Sequence, residues 1–302
     1  MVRSNWHIKM MQGIGDAIYS IPHIKELAKS NNIYLDTVLP KLFKDIPNVF
    51  FLKHDDETYR TQQKEQDKNG IKYVDLPSKI DKYINPHYVI QDLLEGSIPS
   101  YFYKKFETPF DSKIEWQLPD FSKEFLKHKL NIPKDKKIAI IRPATIRAEW
   151  LTETRNPIPQ YISWCCKVLN EAGYYTISIA DLKEREEWLA EGVDNSAQLK
   201  LHKGELGIYG TLGLIQMADI VVGGSGFIIP ATVSTNTNLF IIFGGRQSLD
   251  SVYKVFHPSM NMKKIGWATP ANPCRCAEAI HDCEKSIPTL ESDFYKFLKE
   301  IQ

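Results

Sequence analysis

The chain has 302 residues, of which 43% are hydrophobic, and its 38 basic residues almost balance its 37 acidic residues. A formal net charge of +1 excludes a strong overall attraction to nucleic acid or to a membrane surface. Five cysteines in a chain this long do not make the framework of a small secreted disulfide protein, and no run of about 18 apolar residues predicts a spanning helix. We therefore expect a cytoplasmic protein of two domains with no membrane-spanning segment.

Apolar segments alternate with amphipathic helical patterns along the chain, which predicts an α/β fold with mostly parallel sheets. In the first half, a strand over residues 7–11 enters a glycine turn and then a helix over residues 17–30. The polar residues 54–70 are interpreted as a solvated loop or excursion. The remaining elements predicted here are strands at 33–39, 49–52 and 73–76 and a helical stretch at 89–106.

A polar, lysine-rich segment with three prolines, residues 107–137, is interpreted as the connection between the domains. A second βα series starts with a strand at 137–142, and the charged residues 183–190 are predicted to be helical. The chain closes with an amphipathic helix over residues 289–301. Between them we predict helices at 158–172 and 208–217 and strands at 174–179, 219–222 and 239–243.

The first segment that can carry chemistry is the turn Gly13-Ile14-Gly15-Asp16. Glycines between a strand and a helix let a ligand approach the backbone amides, although a tight turn requires glycines as well. Asp16 can cap the helix or remove a proton from a substrate hydroxyl. Both interpretations stay open at this point.

The second segment follows the strand at 137–142 and contains Thr145, Arg147 and, further along, Arg155. Ligands of open α/β sheets bind at the carboxyl ends of the strands. Guanidinium groups match phosphate oxygens, so these residues are candidates for holding a diphosphate. The alternative is a pair of solvated surface arginines.

The third segment is a strand that runs into Gly223-Gly224-Ser225-Gly226. Three glycines and a serine leave the backbone accessible for contact with phosphate. Neither glycine turn carries the lysine of a phosphate-binding P-loop or the full spacing of a dinucleotide fingerprint. Nucleotide hydrolysis and hydride transfer are therefore disfavoured.

The fourth segment is the Cys/His cluster, which consists of Cys274, Cys276, His281 and Cys283. Its spacing, C-x-C-x4-H-x-C, offers four ligands to Zn²⁺ but lacks the usual pairs of cysteines two residues apart. Buried free thiols or a disulfide are the alternatives. The remaining cysteines, Cys165 and Cys166, lie on the apolar face of a predicted helix and are expected in the core.

Taken in order, these segments resemble the heptosyltransferase-like glycosyltransferases (glycosyltransferase family 9). The family's opening pattern is similar to Gly13-Ile14-Gly15-Asp16 followed by Ser20-Ile21-Pro22, and its donor-side pattern is similar to Thr145-Ile146-Arg147 and Arg155-Asn156-Pro157. The stretch 204–226 and the late cysteines also resemble the family. The resemblance spans most of the chain in short, collinear motifs.

The resemblance implies the GT-B fold, with two Rossmann-like domains that face each other across a cleft. Residues 1–128 would bind the acceptor, residues 129–288 would bind the nucleotide sugar, and the final helix, 289–302, would return to pack on the N-terminal domain. It also implies an inverting transfer that requires no metal, with Asp16 as the general base on the acceptor hydroxyl and Gly13 and Gly15 in the acceptor-side loop.

The donor would be a nucleoside-diphosphate sugar, held by residues of the second half. This chain departs from the family at three positions, because the usual aspartate, histidine and glutamate are replaced by Gly224, Ile229 and Tyr209. The donor therefore need not be ADP-heptose. The residues assigned to the donor are Thr145, Arg147, Arg155, Tyr209, Gly224, Ser225 and Gly226.

The acceptor implied is a saccharide or a lipid-linked glycan. A hydroxymethylated DNA base is an alternative acceptor within the same chemistry, and Lys104, Lys105 and Arg60 would then line a basic cleft. A further alternative is an inactive nucleotide-sugar-binding module, which the missing aspartate and histidine would explain.

Overall fold

The structure is a computed structural model that describes residues 3–54, 70–108, 114–149, 153–194, 196–274 and 276–301. The chain divides into two compact units, Met1–Pro119 and Asp120–Gln302. The main sheet of each unit is parallel, which confirms the predicted α/β architecture. Within the described residues, none of the helices combines the length and the apolar character that crossing a bilayer requires.

The first unit contains a four-stranded parallel sheet in the order β3-β2-β1-β4. Ile8 and Leu35 are opposite each other on neighbouring strands and are completely buried. The chain moves from β1 to β2 and β3 on one side, while β4 lies on the other side of β1. The elements are β1 Ser4–Lys9, α1 Ile14–Leu27, β2 Asn31–Asp36, a 3-10 turn at Pro40–Leu42, β3 Val49–Leu52, β4 Lys82–Ile84, α2 Ile90–Glu95 and α3 Ile98–Lys105.

Two elements of the first unit differ from those predicted from the sequence. The single helical stretch at 89–106 is two helices, because the chain turns extended at Gly96 and Ser97 and the Ser97 hydroxyl then caps α3 by accepting a hydrogen bond from the Ser100 amide at 3.1 Å. The predicted strand at 73–76 makes only an isolated bridge between Tyr73 and Phe51.

The second unit contains a six-stranded parallel sheet in the order β12-β11-β10-β5-β7-β9 and a small antiparallel pair, β6 and β8. The central strands are apolar and completely buried, as at Ile140, Val221 and Ile241. Its strands are β5 Ile138–Arg142, β6 Thr145–Arg147, β7 Tyr175–Ile179, β8 Glu187–Leu189, β9 Leu199–Leu201, β10 Ile220–Gly223, β11 Asn238–Ile242 and β12 Ile265–Ala268. Its helices are α4 Ser122–Leu126, α5 Pro159–Glu171, α6 Gly207–Met217, α7 Ile228–Val233, α8 Val252–Val255 and α9 Leu290–Ile301, with 3-10 turns at Glu153–Arg155 and Met262–Lys264.

The predicted helix at 183–190 is wrong. These residues form a turn and then β8, which pairs antiparallel with β6. The run of charged residues at 183–187 suggests a solvated helix, yet Glu187 is only 1% exposed because two arginines bind its carboxylate. The tertiary ion pairs therefore override the local helical preference.

The boundary between the two compact units lies at Pro119 and Asp120. Helix α4 belongs to the second unit because it packs on α6. The Phe121 ring lies 5.2 Å from the Tyr209 ring, and the Phe121 amide donates a hydrogen bond to the Gln216 side chain at 2.7 Å.

The final helix packs on the second sheet. Helix α9 presents Phe294, Phe297 and Leu298 to the second sheet, and the rings of Phe294 and Phe240 lie 4.8 Å apart. These side chains pack against β11 and β12, so the apolar face of the helix is buried within the second unit. Its apolar face thus contributes to the core of the second unit.

Candidate functional site

The first unit places the Gly13–Asp16 turn at the carboxyl end of β1. Gly13 is the N-cap of α1 and Asp16 lies in the first turn of that helix. A Cβ on Gly13 would lie 2.2 Å from Asp16 Oδ2, so the carboxylate folds back over the glycine. The absence of a side chain at Gly13 is therefore what gives the carboxylate its position.

The Asp16 carboxylate is held by a residue that the sequence did not reveal. The hydroxyl of Tyr88 donates a hydrogen bond to Asp16 Oδ1 at 2.8 Å. Tyr88 follows β4, which lies beside β1, and strand order reverses between these two strands. Ligands of open α/β sheets bind at such a switch point. No local pattern links residues 72 positions apart, and β4 is too short to be recognised from its three residues.

A carboxylate–imidazole pair lies at the carboxyl ends of the next two strands. Asp36 is the last residue of β2, and His54 follows β3. His54 Nδ1 lies 2.5 Å from Asp36 Oδ1, and the His54 side chain is almost completely buried. The carboxyl edge of the first sheet thus carries two carboxylates with identified partners, Asp16 with Tyr88 and Asp36 with His54.

In the second unit, strand order reverses between β5 and β10. Gly223, the last residue of β10, is paired with Arg142, the last residue of β5. The Gly223–Gly226 turn and the segment that begins at Thr145 therefore leave the sheet at the same switch point. This juxtaposition is the one that the sequence patterns predicted.

The glycine turn itself contains a buried polar atom. The hydroxyl oxygen of Ser225 is buried and makes no hydrogen bond to any described residue. A Cβ on Gly226 would meet no atom within 4 Å, whereas one on Gly224 would lie 3.0 Å from Pro157. The turn thus has open space beside Gly226 and a buried hydroxyl whose hydrogen-bonding capacity is not used by the described residues.

The arginines at this edge are paired with buried carboxylates. Arg142 Nη2 binds Glu187 Oε1 at 3.1 Å, and Arg147 Nε binds Glu187 Oε2 at 2.9 Å. Arg142 also donates to the Thr145 hydroxyl at 3.3 Å. Burial lowers the pKa of Arg142, and the charge of Glu187 opposes this shift. Arg147 is therefore part of a fixed ion-pair network rather than a solvated surface side chain.

A second carboxylate binds Arg155. Asp250 Oδ2 lies 3.3 Å from Arg155 Nε and 3.2 Å from Arg246 Nη2, and the Asp250 side chain is 5% exposed. Neither Asp250 nor Arg246 was singled out in the sequence, because nothing local distinguishes them from surface charges. Together the two networks gather arginines in the second unit, which is the unit predicted to hold the donor. Their buried carboxylates neutralise part of this positive charge.

Tyr209 was predicted to contact the donor nucleoside. It lies in the first turn of α6, but its side chain is 3% exposed and its ring packs against Phe121. Its ring thus contributes to the contact between α4 and α6. Ile229 is likewise buried, in α7, so no polar side chain of α7 replaces the family's histidine at that position.

The residues proposed for a basic DNA cleft are only partly described. Lys104 and Lys105 lie in the last turn of α3, and the Lys105 ammonium lies 5.4 Å from the centroid of the Tyr101 ring. Arg60 lies outside the described residues. Of the three proposed residues, the structure therefore describes two exposed lysines, one of them in a cation–π contact, and these do not amount to a nucleic-acid interface.

The Cys/His cluster predicted from the sequence comes together in the structure. One ligand atom from each of the four residues lies within 4.8 Å of the others. Burial and the neighbouring thiols raise the pKa of Cys283. By contrast, Cys165 and Cys166 lie in the core of the second unit, as predicted.

The sequence matches no protein-family model and no curated protein. Its structure is similar to a family 9 glycosyltransferase from Veillonella parvula, with 9% identity, 87% of this chain and 85% of that chain covered, and a TM-score of 0.60. It is also similar to the Escherichia coli heptosyltransferase WaaC with ADP, with 13% identity, 99% and 100% covered, and a TM-score of 0.58.

A third similar structure is the iron-containing dodecameric glycosyltransferase TibC of enterotoxigenic Escherichia coli, with 10% identity, 99% of this chain and 76% of that chain covered, and a TM-score of 0.58. At identities this low, the structural similarity establishes the fold, and the activity has to be argued from the site. The chain therefore has the α/β fold of the heptosyltransferase-like GT-B glycosyltransferases.

Proposed function

We propose that this protein is an inverting glycosyltransferase that moves a sugar from a nucleoside-diphosphate sugar to an acceptor hydroxyl. The observation that carries the proposal is the Asp16 carboxylate, which Tyr88 holds at the switch point of the first sheet. A carboxylate in this place is suited to accept a proton. The similarity of the fold to that of WaaC supports the proposed reaction class by analogy.

The proposed step is a single displacement. The acceptor oxygen attacks the anomeric carbon, the bond from that carbon to the phosphate oxygen breaks, and the nucleoside diphosphate leaves with the electron pair. Asp16 receives the proton of the acceptor hydroxyl. General-base catalysis of this kind contributes about 10²- to 10⁴-fold to the rate.

The second unit is proposed to hold the diphosphate. Ser225 offers a buried hydroxyl, and the open space beside Gly226 lets phosphate oxygens approach the backbone. Arg155 and Arg147 supply positive charge near the growing charge of the leaving group. Since WaaC is described with ADP, ADP is the first nucleotide to examine here.

We propose that the transfer itself needs no Mg²⁺. Mg²⁺ is held by oxygen ligands, mainly carboxylates. Within the described part of the chain, the group of three or more possible metal ligands consists of cysteines and a histidine, which suit a softer ion than Mg²⁺. Arginines and hydroxyl groups take over the stabilisation of the diphosphate in this proposal.

The acceptor class that we propose is a saccharide or a lipid-linked glycan. The formal charge of +1 does not favour DNA. A hydroxymethylated duplex is nevertheless included below as a second acceptor, since the chemistry of transfer would be the same.

The test starts with donor binding. The melting temperature of the protein is measured with ADP, UDP, GDP and CMP, because a ligand at 100 times its dissociation constant stabilises the folded state by about 2.7 kcal/mol. The nucleotide that binds is then supplied as its sugar conjugate, with glycan or hydroxymethylated DNA as the acceptor. No stabilisation by any nucleotide would contradict the proposal.

Asp16→Asn then separates catalysis from binding. We expect turnover to fall about 10²- to 10⁴-fold while the affinity for the nucleotide stays the same. Asp45→Asn, which changes an exposed carboxylate of the same unit, is the matched control and should transfer at the normal rate. Normal turnover by Asp16→Asn would exclude Asp16 as the base, whereas nucleotide binding without any transfer by the wild type would support the inactive-module alternative.

A further inference from the structure

The loop after β11 carries an arginine to which the proposed function gives no role. Strand β11 lies beside β10 in the second sheet and runs parallel to it. Three residues, two of them glycines, separate the end of β11 from Arg246. Arg246 therefore leaves the sheet at the same carboxyl edge as the Gly223–Gly226 turn, where open α/β sheets bind their ligands.

This loop is fastened to the turn that carries Arg155. The Arg246 amide donates a hydrogen bond at 3.2 Å to the carbonyl of the residue that precedes Arg155. A Cβ on Gly244 would lie 2.4 Å from the Arg155 carbonyl oxygen, so only a glycine permits this close approach. Two residues after Arg155, Pro157 lies against Gly224, where an added Cβ would be 3.0 Å from its ring. The backbone thus brings both arginines to the glycine turn that follows β10.

One buried carboxylate binds both arginines. Asp250 Oδ2 lies 3.2 Å from Arg246 Nη2 and 3.3 Å from Arg155 Nε. The side chains of Arg246 and Asp250 are only 10% and 5% exposed. Asp250 is itself fixed by the backbone, because its amide donates to the Arg246 carbonyl at 2.9 Å. A single oxygen atom therefore holds the two guanidinium groups next to each other.

The charges of these three side chains do not cancel. Arginine stays protonated in proteins, so two guanidinium groups and one carboxylate leave one positive charge in excess. A buried charge is costly unless an opposite charge and hydrogen bonds accompany it. In addition, Arg246 Nε is buried and makes no hydrogen bond to a described residue. An anion with several acceptor oxygens would satisfy both the charge and this donor.

The other arginine network of this edge uses its donors more fully. Glu187 offers a separate oxygen to each arginine, Oε1 to Arg142 Nη2 and Oε2 to Arg147 Nε. Arg142 also donates to the Ile179 carbonyl at 3.1 Å. The Nε atom of Arg147 is thus bound to a carboxylate, whereas the Nε atom of Arg246 is not. Arg246 therefore retains more capacity to bind an anion.

We propose that Arg246 is a second guanidinium of the site that binds the diphosphate, and that Asp250 is the positioning residue for Arg155 and Arg246. The N–H groups of a guanidinium match two phosphate oxygens, so arginine recognises phosphate by direction as well as by charge. Two such groups side by side suit two linked phosphates better than one. That the diphosphate belongs to a nucleotide-sugar donor rests on the function proposed above.

The test compares ligands that differ by one phosphate. Calorimetric titration measures the affinity of the wild type and of Arg246→Gln for ADP, AMP and inorganic pyrophosphate, or for the matching pair of another nucleotide that stabilises the protein. We expect Arg246→Gln to weaken the binding of ADP and pyrophosphate about 10- to 100-fold and that of AMP less than about threefold, because a charge-assisted hydrogen bond to the second phosphate is lost. A general loss of structure would instead weaken the binding of ADP and AMP alike.

Two further arginine variants calibrate this result. Arg246→Lys keeps the charge but loses the planar fork, so its affinity for ADP should lie between those of the wild type and Arg246→Gln. Arg185→Gln changes an arginine of the same unit whose side chain is 91% exposed, and it should leave all three affinities unchanged.

A double-mutant cycle tests the positioning role of Asp250. Asp250→Asn leaves two guanidinium groups that repel each other without a carboxylate between them, so it should weaken the binding of ADP. If Asp250 acts through Arg246, this loss should be smaller in the Arg246→Gln background than in the wild type. The Arg246 variants test the anion site even if Asp250→Asn does not fold.

The outcomes separate this proposal from the proposed function. An unchanged preference for ADP over AMP in Arg246→Gln would overturn the role of Arg246 and leave the transferase function standing. Binding of pyrophosphate that Arg246→Gln loses, in a protein that binds no nucleotide, would support the anion site and contradict the proposed function. Additive losses in the cycle would overturn the positioning role of Asp250, and a wild type that binds neither ADP nor pyrophosphate would overturn both proposals.

Discussion

The carboxyl edges of the two sheets have the same architecture and opposite chemistry. Each has a glycine turn at the point where strand order reverses. In the first unit, that edge presents an acid, Asp16, which a neutral hydroxyl holds in place. In the second unit, it presents the cations Arg147 and Arg155, which buried carboxylates hold in place. The fold places a polar side chain at the same edge of each sheet. The charge of that side chain and the residue that binds it make the edge suited to a base in one unit and to phosphate in the other.

The glycines also differ in what they do. Gly13 leaves room for a side chain of its own turn, the Asp16 carboxylate, whereas Gly226 leaves open space that no described residue fills. Similar strings of glycine in the sequence therefore serve two purposes, one inside the protein and one that we assign to a ligand. The following changes test this contrast, beginning with the largest expected effect.

Glu187→Gln should have the largest effect, on the stability of the second edge. The substitution keeps the size of the side chain but removes the charge that both Arg142 and Arg147 bind. Breaking a buried ion pair by changing one partner costs about 3–5 kcal/mol. Chemical denaturation monitored by fluorescence measures this loss. Glu171→Gln, an exposed change in α5, should alter the free energy of unfolding by less than about 0.5 kcal/mol, and an equally small effect at Glu187 would show that the network is not structural.

Gly13→Ala should act on turnover rather than on stability. The added Cβ would displace the Asp16 carboxylate from Tyr88, and the carboxylate can move because it is the end of a side chain. A misplacement of about 1 Å costs about 100-fold in rate. Steady-state kinetics should show this loss in kcat, with an unchanged dissociation constant for the nucleotide.

Gly226→Ala provides the contrasting variant for Gly13→Ala. Its Cβ meets no protein atom, so the fold should be unaffected and any effect should lie in the affinity for the donor. If Gly13→Ala weakened nucleotide binding while Gly226→Ala lowered only kcat, the assignment of the two turns would have to be exchanged.

Ser225→Ala should have the smallest effect. Without ligand, removal of a buried hydroxyl that bonds to no described residue should not lower the free energy of unfolding. With ligand, the loss of a hydrogen bond to phosphate should weaken nucleotide binding about tenfold, or about 1.4 kcal/mol. Calorimetric titration measures this, with the remote Ser292→Ala as control. Equal affinity in Ser225→Ala and wild type would remove Ser225 from the donor site.

The sequence predicted the long, periodic elements well. The helix after Gly13, the strand that ends at Arg142 and the strand that ends at Gly223 all form within a few residues of the predicted bounds. Their signals are local, since apolar spacing and glycine turns are properties of neighbouring residues. The short strands β4, β6, β8, β9 and β12 were not predicted, because three or four residues carry too little periodicity.

Prediction from the sequence failed where tertiary contacts determine the structure. The residues around Glu187 were predicted as a helix, yet two distant arginines draw this carboxylate into the interior. The phenylalanines of the final helix contribute to the core of the second unit, which its sequence pattern did not specify. An amphipathic pattern predicts that one face of a helix is buried, but it does not predict which surface packs against that face.

The sequence by itself determined the α/β class and the two glycine turns. It also indicated Asp16 as the candidate base and the residues of the Cys/His cluster, which lie together in the structure. Only the tertiary structure decided the partners, which are Tyr88 for Asp16, Glu187 for Arg147 and Asp250 for Arg155. The physical reason is that backbone periodicity arises between near neighbours in the chain. Ion pairs and hydrogen bonds at a sheet edge join residues that strand pairing and chain folding bring together, as the antiparallel pairing of β6 with β8 does for Arg147 and Glu187.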